Sequence, residues 1–288
     1  MIDVKEQKKR VRTFFSQDER WKGKLYENQD DRFARAVARR KMYAMEMLRR
    51  HNLKAGSVLC VGCGSGLYLK ELASQGFTCY GIDLSNEMIQ TARKKLEGIV
   101  PPDNLVCGDA EHIPMESETF HLVSCVGVLS YLVSDQYALM EMNRVLKVGG
   151  ILLMSVENLM SLSNIDFVWR SRLRSFMNLR GSHQNNSANH DVSMSSPWVL
   201  MNSPTHYNYR LHNPWKLEKM VQSYGFAFID AMTFGFQFRI LRRFKLLPES
   251  WIHSMEIFLE RLLRKFHIPY FSYSGEAYIA LFKKVNRI

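Results

Sequence analysis

Two hydrophobic rhythms divide the chain. Between residues 7 and 50 the apolar positions recur at helical spacing: Val11, Phe14 and Phe15 make one patch, Phe33, Val37, Met42, Met45 and Leu48 continue it, and Gly23 separates two helices. From residue 57 the pattern changes to short apolar runs alternating with helical stretches. Ser57 to Val61 reads as a strand, Leu67 to Gln75 as a helix, Thr78 to Asp83 as a second strand, Asn86 to Leu96 as a helix and Asn104 to Gly108 as a third strand. A fourth strand, His121 to Cys125, is followed by a helix from Asp135 to Leu146 stopped by Gly149 and Gly150, and by a fifth strand, Ile151 to Val156. This alternation predicts a parallel sheet covered on both faces and joined by right-handed crossovers, an α/β doubly wound unit over residues 57–156.

After Glu157 the alternation lapses for about 50 residues, through a Ser- and Asn-rich tract from Gly181 to Ser196 that reads as loop. Regular structure resumes with a helix opened by Pro214 and closed by Gly225, a strand over Phe226 to Phe234, an amphipathic helix from Pro248 to Phe266 and a final apolar strand, Ala277 to Phe282. The organisation expected is an N-terminal helical segment, 1–55, covering a site built by residues 56–288, with a cap inserted at about 158–213 and an extra helix at about 248–267.

The sheet localises the chemistry, because ligands of open parallel sheets bind beyond the carboxyl ends of the strands. Gly62, Gly64 and Gly66 stand just past the first strand, where missing side chains permit a tight turn and are expected to leave its amide edges bare for a ligand. Asp83 ends the second strand, 17 residues after Gly66, where a carboxylate can accept from both hydroxyls of a ribose. Asp109 ends the third, suitably placed for an adenine amino group. A nicotinamide dehydrogenase also uses a glycine loop and a ribose-binding acid, but its fingerprint wants a sixth-position glycine, and here that position is Leu67.

These residues carry a resemblance. The runs Val58-Leu-Cys-Val-Gly-Cys-Gly-Ser-Gly66, Gly81-Ile-Asp-Leu-Ser85, Gly108-Asp-Ala110 and Arg144-Val-Leu-Lys-Val-Gly-Gly150 resemble the class I S-adenosylmethionine-dependent methyltransferases, most closely the small-molecule group of quinone biosynthesis. The resemblance covers residues 55 to 157 well and the N-terminal and inserted segments poorly. It implies a Rossmann-like seven-stranded sheet in the order 3-2-1-4-5-7-6 with strand 7 antiparallel, and S-adenosylmethionine as cofactor. It also implies a site. Val61, Gly62, Cys63, Gly64 and Gly66 would line the methionine and ribose, Asp83 would hold the ribose, Leu84 and Met88 would flank the adenine, Asp109 and the Ala110 amide would read its edge, and the Val126 carbonyl would meet the ammonium group.

Methyl transfer needs alignment of a nucleophile and exclusion of water more than it needs a dedicated catalytic group. Candidates near the acceptor are Tyr131, after the fourth strand, and His206 and His212, just before the helix at Pro214. His183 and His190 lie further back in the inserted tract, and Trp21 and Tyr26 belong to the covering segment. The loop after strand four, Cys125-Val-Gly-Val-Leu-Ser-Tyr131, lacks the Asn/Asp-Pro-Pro-Tyr/Phe motif that orients planar amines of bases and glutamine. Nucleic acid is therefore disfavoured, and a small hydroxyl or amine acceptor is expected.

Composition adjusts this picture in three places. The 288 residues carry a formal charge of +11, distributed as +8 over 1–55, −5 over 56–156, +2 over 157–231 and +6 over 232–288, so the basicity belongs to the periphery. It suits an anionic acceptor, nucleic acid or membrane surface, and a merely solvated face equally well. Trp251, Ile252, Met255, Phe258, Leu259, Leu262, Leu263 and Phe266 form an apolar stripe near Arg261, Arg264 and Lys265, and Trp169 to Arg180 alternates Arg with Leu, Phe and Met. Both suit a lipid interface and an amphiphilic acceptor, and burial against the sheet is the plainer reading of the stripe. Finally, five scattered cysteines make no disulfide framework, Cys60 and Cys63 lack the partners a metal site needs, and no apolar run is long enough to span a bilayer. The expectation is a cytoplasmic enzyme without a metal, with a noncatalytic cofactor-fold domain, or an RNA or protein methyltransferase using the basic periphery, as the alternatives.

Overall fold

The computed structural model describes residues 3–17, 32–53, 55–161, 198–202, 208–235 and 275–286, with isolated positions between 248 and 262. Among the described residues the first elements are the helices α1 (Val4–Gln17) and α2 (Arg32–Arg50), followed by β1 (Gly56–Val61), α3 (Leu67–Ser74), β2 (Phe77–Asp83), α4 (Asn86–Lys95), β3 (Leu105–Cys107) and β4 (Phe120–Val126). Then come α5 (Asp135–Val145), β5 (Leu146–Glu157), β6 (Trp198–Asn202), β7 (Asn208–His212), α6 (Pro214–Ser223), β8 (Phe226–Phe234) and β9 (Ala277–Lys284).

Seven strands form one sheet in the order β3-β2-β1-β4-β5-β9-β8. The pairs from β3 through β5 are parallel, whereas β9 lies antiparallel between β5 and β8. With β8 as the sixth strand and β9 as the seventh, this is the order expected. The strands are apolar on both faces, as a sheet buried on both sides requires: Val58 and Cys60 join one core layer, Leu59 and Val61 the other. The first layer is closed by α2, α3 and α4 and the second by α5 and α6, whose Leu139, Met142, Leu217 and Val221 are fully buried.

Three differences from the expected elements have physical causes. First, besides covering the site, the N-terminal segment joins the core, with Tyr43, Ala44, Met47 and Leu48 of α2 buried in the same cluster as β1. Second, β5 begins at Leu146, before the two glycines, with an irregularity against β4 between the Phe120–Leu146 and Leu122–Ile151 pairs. What ends α5 is Lys284: its buried ammonium donates to the carbonyls of Asn143 and Leu146, each at 2.7 Å, and a cation there also complements the helix dipole. Third, the region expected to be a cap contains an antiparallel ribbon, β6 with β7. The Gly181–Ser196 tract and the Trp169–Arg180 stretch lie outside the described residues.

Helix starts follow side-chain chemistry. The Ser85 hydroxyl accepts from Met88 N to open α4, Ser134 does the same for Tyr137 N at α5, and Asn213, ahead of Pro214, accepts from Lys216 N at α6. The Arg144 motif has a structural role: its guanidinium donates to the Ile113 and Met115 carbonyls and to Glu141, fastening α5 to the segment that leads into β4.

Candidate functional site

A cavity of about 230 Å³ opens at the carboxyl ends of β1, β2, β3, β4 and β5. That is where strand order reverses between β1 and β4, so two crossovers diverge and leave a crevice. Of the residues the sequence nominated for a cofactor, Val61, Gly62, Cys63, Gly64, Asp83, Leu84, Met88, Asp109, Ala110 and Val126 line it. Gly66 does not. It begins α3 with φ +83°, and a Cβ there would come within 2.7 Å of Leu96, so its role is close packing of the turn on α4.

The glycine turn is not a row of free amides. Gly62 and Cys63 donate to the Ile82 carbonyl at 2.8 and 3.0 Å, Gly66 donates to Cys63 O, and Gly64 donates to Asp83 Oδ2 at 2.8 Å. The expectation of bare amide edges is thereby corrected. The turn is instead welded to the end of β2, and what its glycines contribute is shape. Gly62 has φ +69°, and a Cβ on it would stand 2.3 Å from the Val128 side chain, so only glycine lets the loop after β4 lie against it.

Asp83 accepts from Gly64 N through one oxygen and from Ser85 N, at 2.9 Å, through the other. Burial pushes its carboxyl pKa up, and the two amides work in the opposite direction. Each oxygen keeps a lone pair for a ligand in the cavity it lines. Asp109 takes the Glu111 amide at 2.9 Å on one oxygen and the Lys8 ammonium at 2.6 Å on the other. Burial opposes the charge on Lys8, but hydrogen bonds to Asp109 and Glu111 outweigh it and hold its pKa above the ordinary lysine value.

Helix α1 lies over this end of the cavity, to which it contributes Lys8, Val11, Arg12 and Phe15. Ser16 hydrogen-bonds Ser85 and Glu87 at 2.8 and 2.9 Å, and the Phe15 ring meets Tyr131 edge-on at 5.2 Å. At the other end α2 contributes Val37, Arg40 and Lys41, and Arg40 pairs with Glu157 at the tip of β5. A Cβ on Gly127 would meet the Arg40 guanidinium at 2.7 Å, which places that cation directly beside the end of β4.

Ser65, Tyr68 and Ser124 also line the cavity; the Tyr68 and Ser124 hydroxyls face each other, and the buried Ser65 hydroxyl has no hydrogen-bond partner. A buried hydroxyl without a partner is rare, and one at this crevice fits a polar ligand such as the amino-acid end of an adenosyl sulfonium. Burial raises the Tyr68 phenol well above its ordinary pKa, so it stays a neutral donor. The sequence offered no signal for these hydroxyls, for Arg40 or for Glu157, because each enters the site through helix packing or strand register.

Among the catalytic candidates, Tyr131 lines the cavity. His206 lies outside the described residues, as do His183, His190, Trp21 and Tyr26. His212 corrects the expectation. It is fully buried, does not line the cavity, and its Nε2 stands 3.3 Å from the Asp135 carboxylate. Arg210, also on β7, donates to Asp135 at 2.6 Å and to the Leu129 carbonyl at 2.7 Å. This buried knot fastens the ribbon to the turn Leu129–Tyr131, which carries Tyr131 to the cavity. Burial alone would raise the Asp135 pKa, but the His212 hydrogen bond and the charges of His212 and Arg210 hold it below the usual carboxylate value.

Residues 59–154 match a family model described as a methyltransferase domain. With the sheet order and the crevice above, this match identifies residues 59–154, a third of the chain, as a methyltransferase domain of the class I S-adenosylmethionine-dependent type. A ubiquinone biosynthesis O-methyltransferase from Coxiella burnetii is 31% identical over 106 residues, 37% of this chain and 45% of that protein. A phosphatidylethanolamine N-methyltransferase from Cereibacter sphaeroides is 38% identical over 101 residues, 34% of this chain and 49% of that protein. The chain thus spans about half the length of the curated relatives it matches. Among solved structures, a Burkholderia thailandensis 1,6-didemethyltoxoflavin N1-methyltransferase with bound S-adenosylhomocysteine has a TM-score of 0.57 at 14% identity, covering 99% of this chain and 92% of that one. The PH0226 protein of Pyrococcus horikoshii has a TM-score of 0.58 at 15% identity, covering 94% and 98%. These two likenesses bear on the fold alone.

Proposed function

We propose that the protein is a methyltransferase that uses S-adenosylmethionine to methylate a hydroxyl oxygen of a small or amphiphilic molecule. The observation that carries the reading is the cavity itself. It joins two carboxylates at neighbouring strand ends to a glycine turn, the buried hydroxyls of Ser65, Tyr68 and Ser124, and Tyr131. When bound, S-adenosylmethionine supplies a sulfonium methyl that the acceptor oxygen displaces in line, leaving S-adenosylhomocysteine and releasing the hydroxyl proton.

The chain's residues divide the remaining work. Asp83 would accept from the ribose hydroxyls with the lone pairs that Gly64 and Ser85 leave free. Leu84 and Met88 would flank the adenine, and Asp109 with the Ala110 amide would read its edge. The Val126 carbonyl would meet the ammonium group, and Arg40, beside Gly127, the carboxylate. Tyr131 bounds the acceptor end. Alignment of this kind supplies ~7–11 kcal/mol in favourable cases, so the acceptor needs little further activation.

An amphiphilic acceptor is supported by the relatives named for ubiquinone biosynthesis and for phosphatidylethanolamine. The test has two parts. Calorimetry with S-adenosylmethionine and S-adenosylhomocysteine should show binding, and its absence sinks the reading. Incubation with methyl-labelled cofactor and an organic extract of cells should then place label in a lipid-soluble ether; label in an amine or in RNA would replace the acceptor class.

A further inference from the structure

Glu157, Ala277 and Phe234 stand in one row across β5, β9 and β8, and Glu157 lines the cavity. The segment between β8 and β9 therefore begins and ends at the sheet edge onto which the cavity opens. Its two ends are held together there by the Glu276 amide, which donates to the Gly235 carbonyl at 3.2 Å.

Within this segment Trp251, Met255, Phe258 and Leu262 are helical, and they are 65, 42, 66 and 37% exposed. At 3.6 residues per turn, their spacing places all four within an arc of about 60°. The described part of the stripe is thus one open apolar face and not a face buried against the sheet. Contiguous exposed apolar surface of this kind marks an interaction site.

Charge selects the partner. Residues 232–288 carry ten Lys and Arg, the buried Lys284 among them, against four Asp and Glu, and Arg261, Arg264 and Lys265 fall at the end of the apolar run. An apolar face set in basic sequence complements an anionic bilayer surface, where Trp, Phe and Leu enter the acyl boundary and cations meet the headgroups. Among the described residues no helix is long and apolar enough to cross a membrane.

We infer that the Trp251–Met255–Phe258–Leu262 face docks the protein on anionic membrane, with the cavity-bearing edge turned toward the lipid, so that an amphiphilic acceptor reaches the cavity from the bilayer. The clause about the acceptor rests on the methyl-transfer reading; the docking itself does not.

The experiment sediments the full chain with vesicles of phosphatidylcholine alone and of phosphatidylcholine mixed with phosphatidylglycerol, at low and high salt. Binding should require the anionic lipid and weaken with salt. A Trp251→Ser, Phe258→Ser double variant should bind about tenfold more weakly, yet bind S-adenosylhomocysteine in calorimetry with unchanged affinity. No enrichment on anionic vesicles at low salt, or undiminished binding by the double variant, overturns docking. So does a self-associated wild type that the double variant renders monomeric without any vesicle binding, which assigns the face to a second copy. Vesicle binding by a chain that fails to bind S-adenosylhomocysteine leaves docking in place and removes the methyl-transfer reading.

Discussion

The amide of Gly64 donates to Oδ2 of Asp83 at 2.8 Å, so the turn after β1 and the acid ending β2 form one unit. The acid that would hold a ribose also shapes the loop beneath it. Asp83→Ala should therefore weaken cofactor binding about a hundredfold, the scale of losing charge-assisted hydrogen bonds to both ribose hydroxyls. Asp83→Asn, which can still accept from Gly64 N, should lose less. Calorimetry with S-adenosylhomocysteine measures both, and equal affinities for wild type and Asp83→Ala would remove Asp83 from the site.

The buried knot of Asp135, Arg210 and His212 makes a stability prediction. Removing one partner of a buried ion pair costs about 3–5 kcal/mol, and Asp135→Ala should fall in that range by urea denaturation. Because the folded pKa of Asp135 lies below its unfolded value of about 3.9, the contribution is present above that pH and is lost as pH falls through the folded value. The wild type should accordingly lose stability below about pH 4, and the variant should show less of this loss.

His212 should then be a positioning residue and not a base. His212→Asn is expected to lower stability and leave the acid limb of any pH–rate profile, where a general base would titrate, in place. A profile that loses an ionisation in this variant would return the imidazole to the chemistry.

Cysteine reactivity separates the interior from the surface. Cys60, Cys63, Cys79 and Cys125 are buried and Cys107 is exposed. Burial pushes the Cys79 thiol up to about 12 and raises the other three buried thiols well above their ordinary value, so none is a thiolate near neutrality. A thiol reagent at pH about 8, where an ordinary cysteine is partly ionised, should therefore titrate one fast group in the native protein and five after denaturation. Two or more fast groups would show an opened sheet.

Lys8 latches α1 onto Asp109 and Glu111 at 2.6 and 2.5 Å. Lys8→Ala should cost about 1 kcal/mol, the scale of a partly exposed ion pair, and speed proteolysis within α1. The Lys8 pKa is raised, so the latch holds throughout the neutral range and is lost only as pH rises past the ordinary lysine value of about 10.4. Unchanged cleavage rates in the variant would show that Phe15 and Ser16 alone hold the helix.

The parallel core was legible because burial on both faces leaves a plain signature: runs such as Val58–Val61 and Leu152–Val156 bounded by glycine turns and capped helices. The acids at strand ends were legible for the same reason, since a strand's end is also where its side chains meet the crevice. The ribbon formed by β6 and β7 was not legible. Its residues alternate weakly, and it is held by Arg210 and His212, polar residues whose burial depends on a carboxylate some 75 residues earlier in the chain.

Local sequence was thus enough to determine the alternating strands and helices, the glycine turn and the two carboxylates, because periodicity and turn geometry act over short stretches of chain, whereas the strand order was implied by the family resemblance. Tertiary structure alone decided that α2 belongs to the core, that the turn's amides are consumed by Ile82 and Asp83, that Lys8 and Arg40 reach the cavity, and that His212 does not. Those outcomes depend on which distant groups satisfy one another once water is excluded, and neither the period nor the composition of a segment encodes its partner.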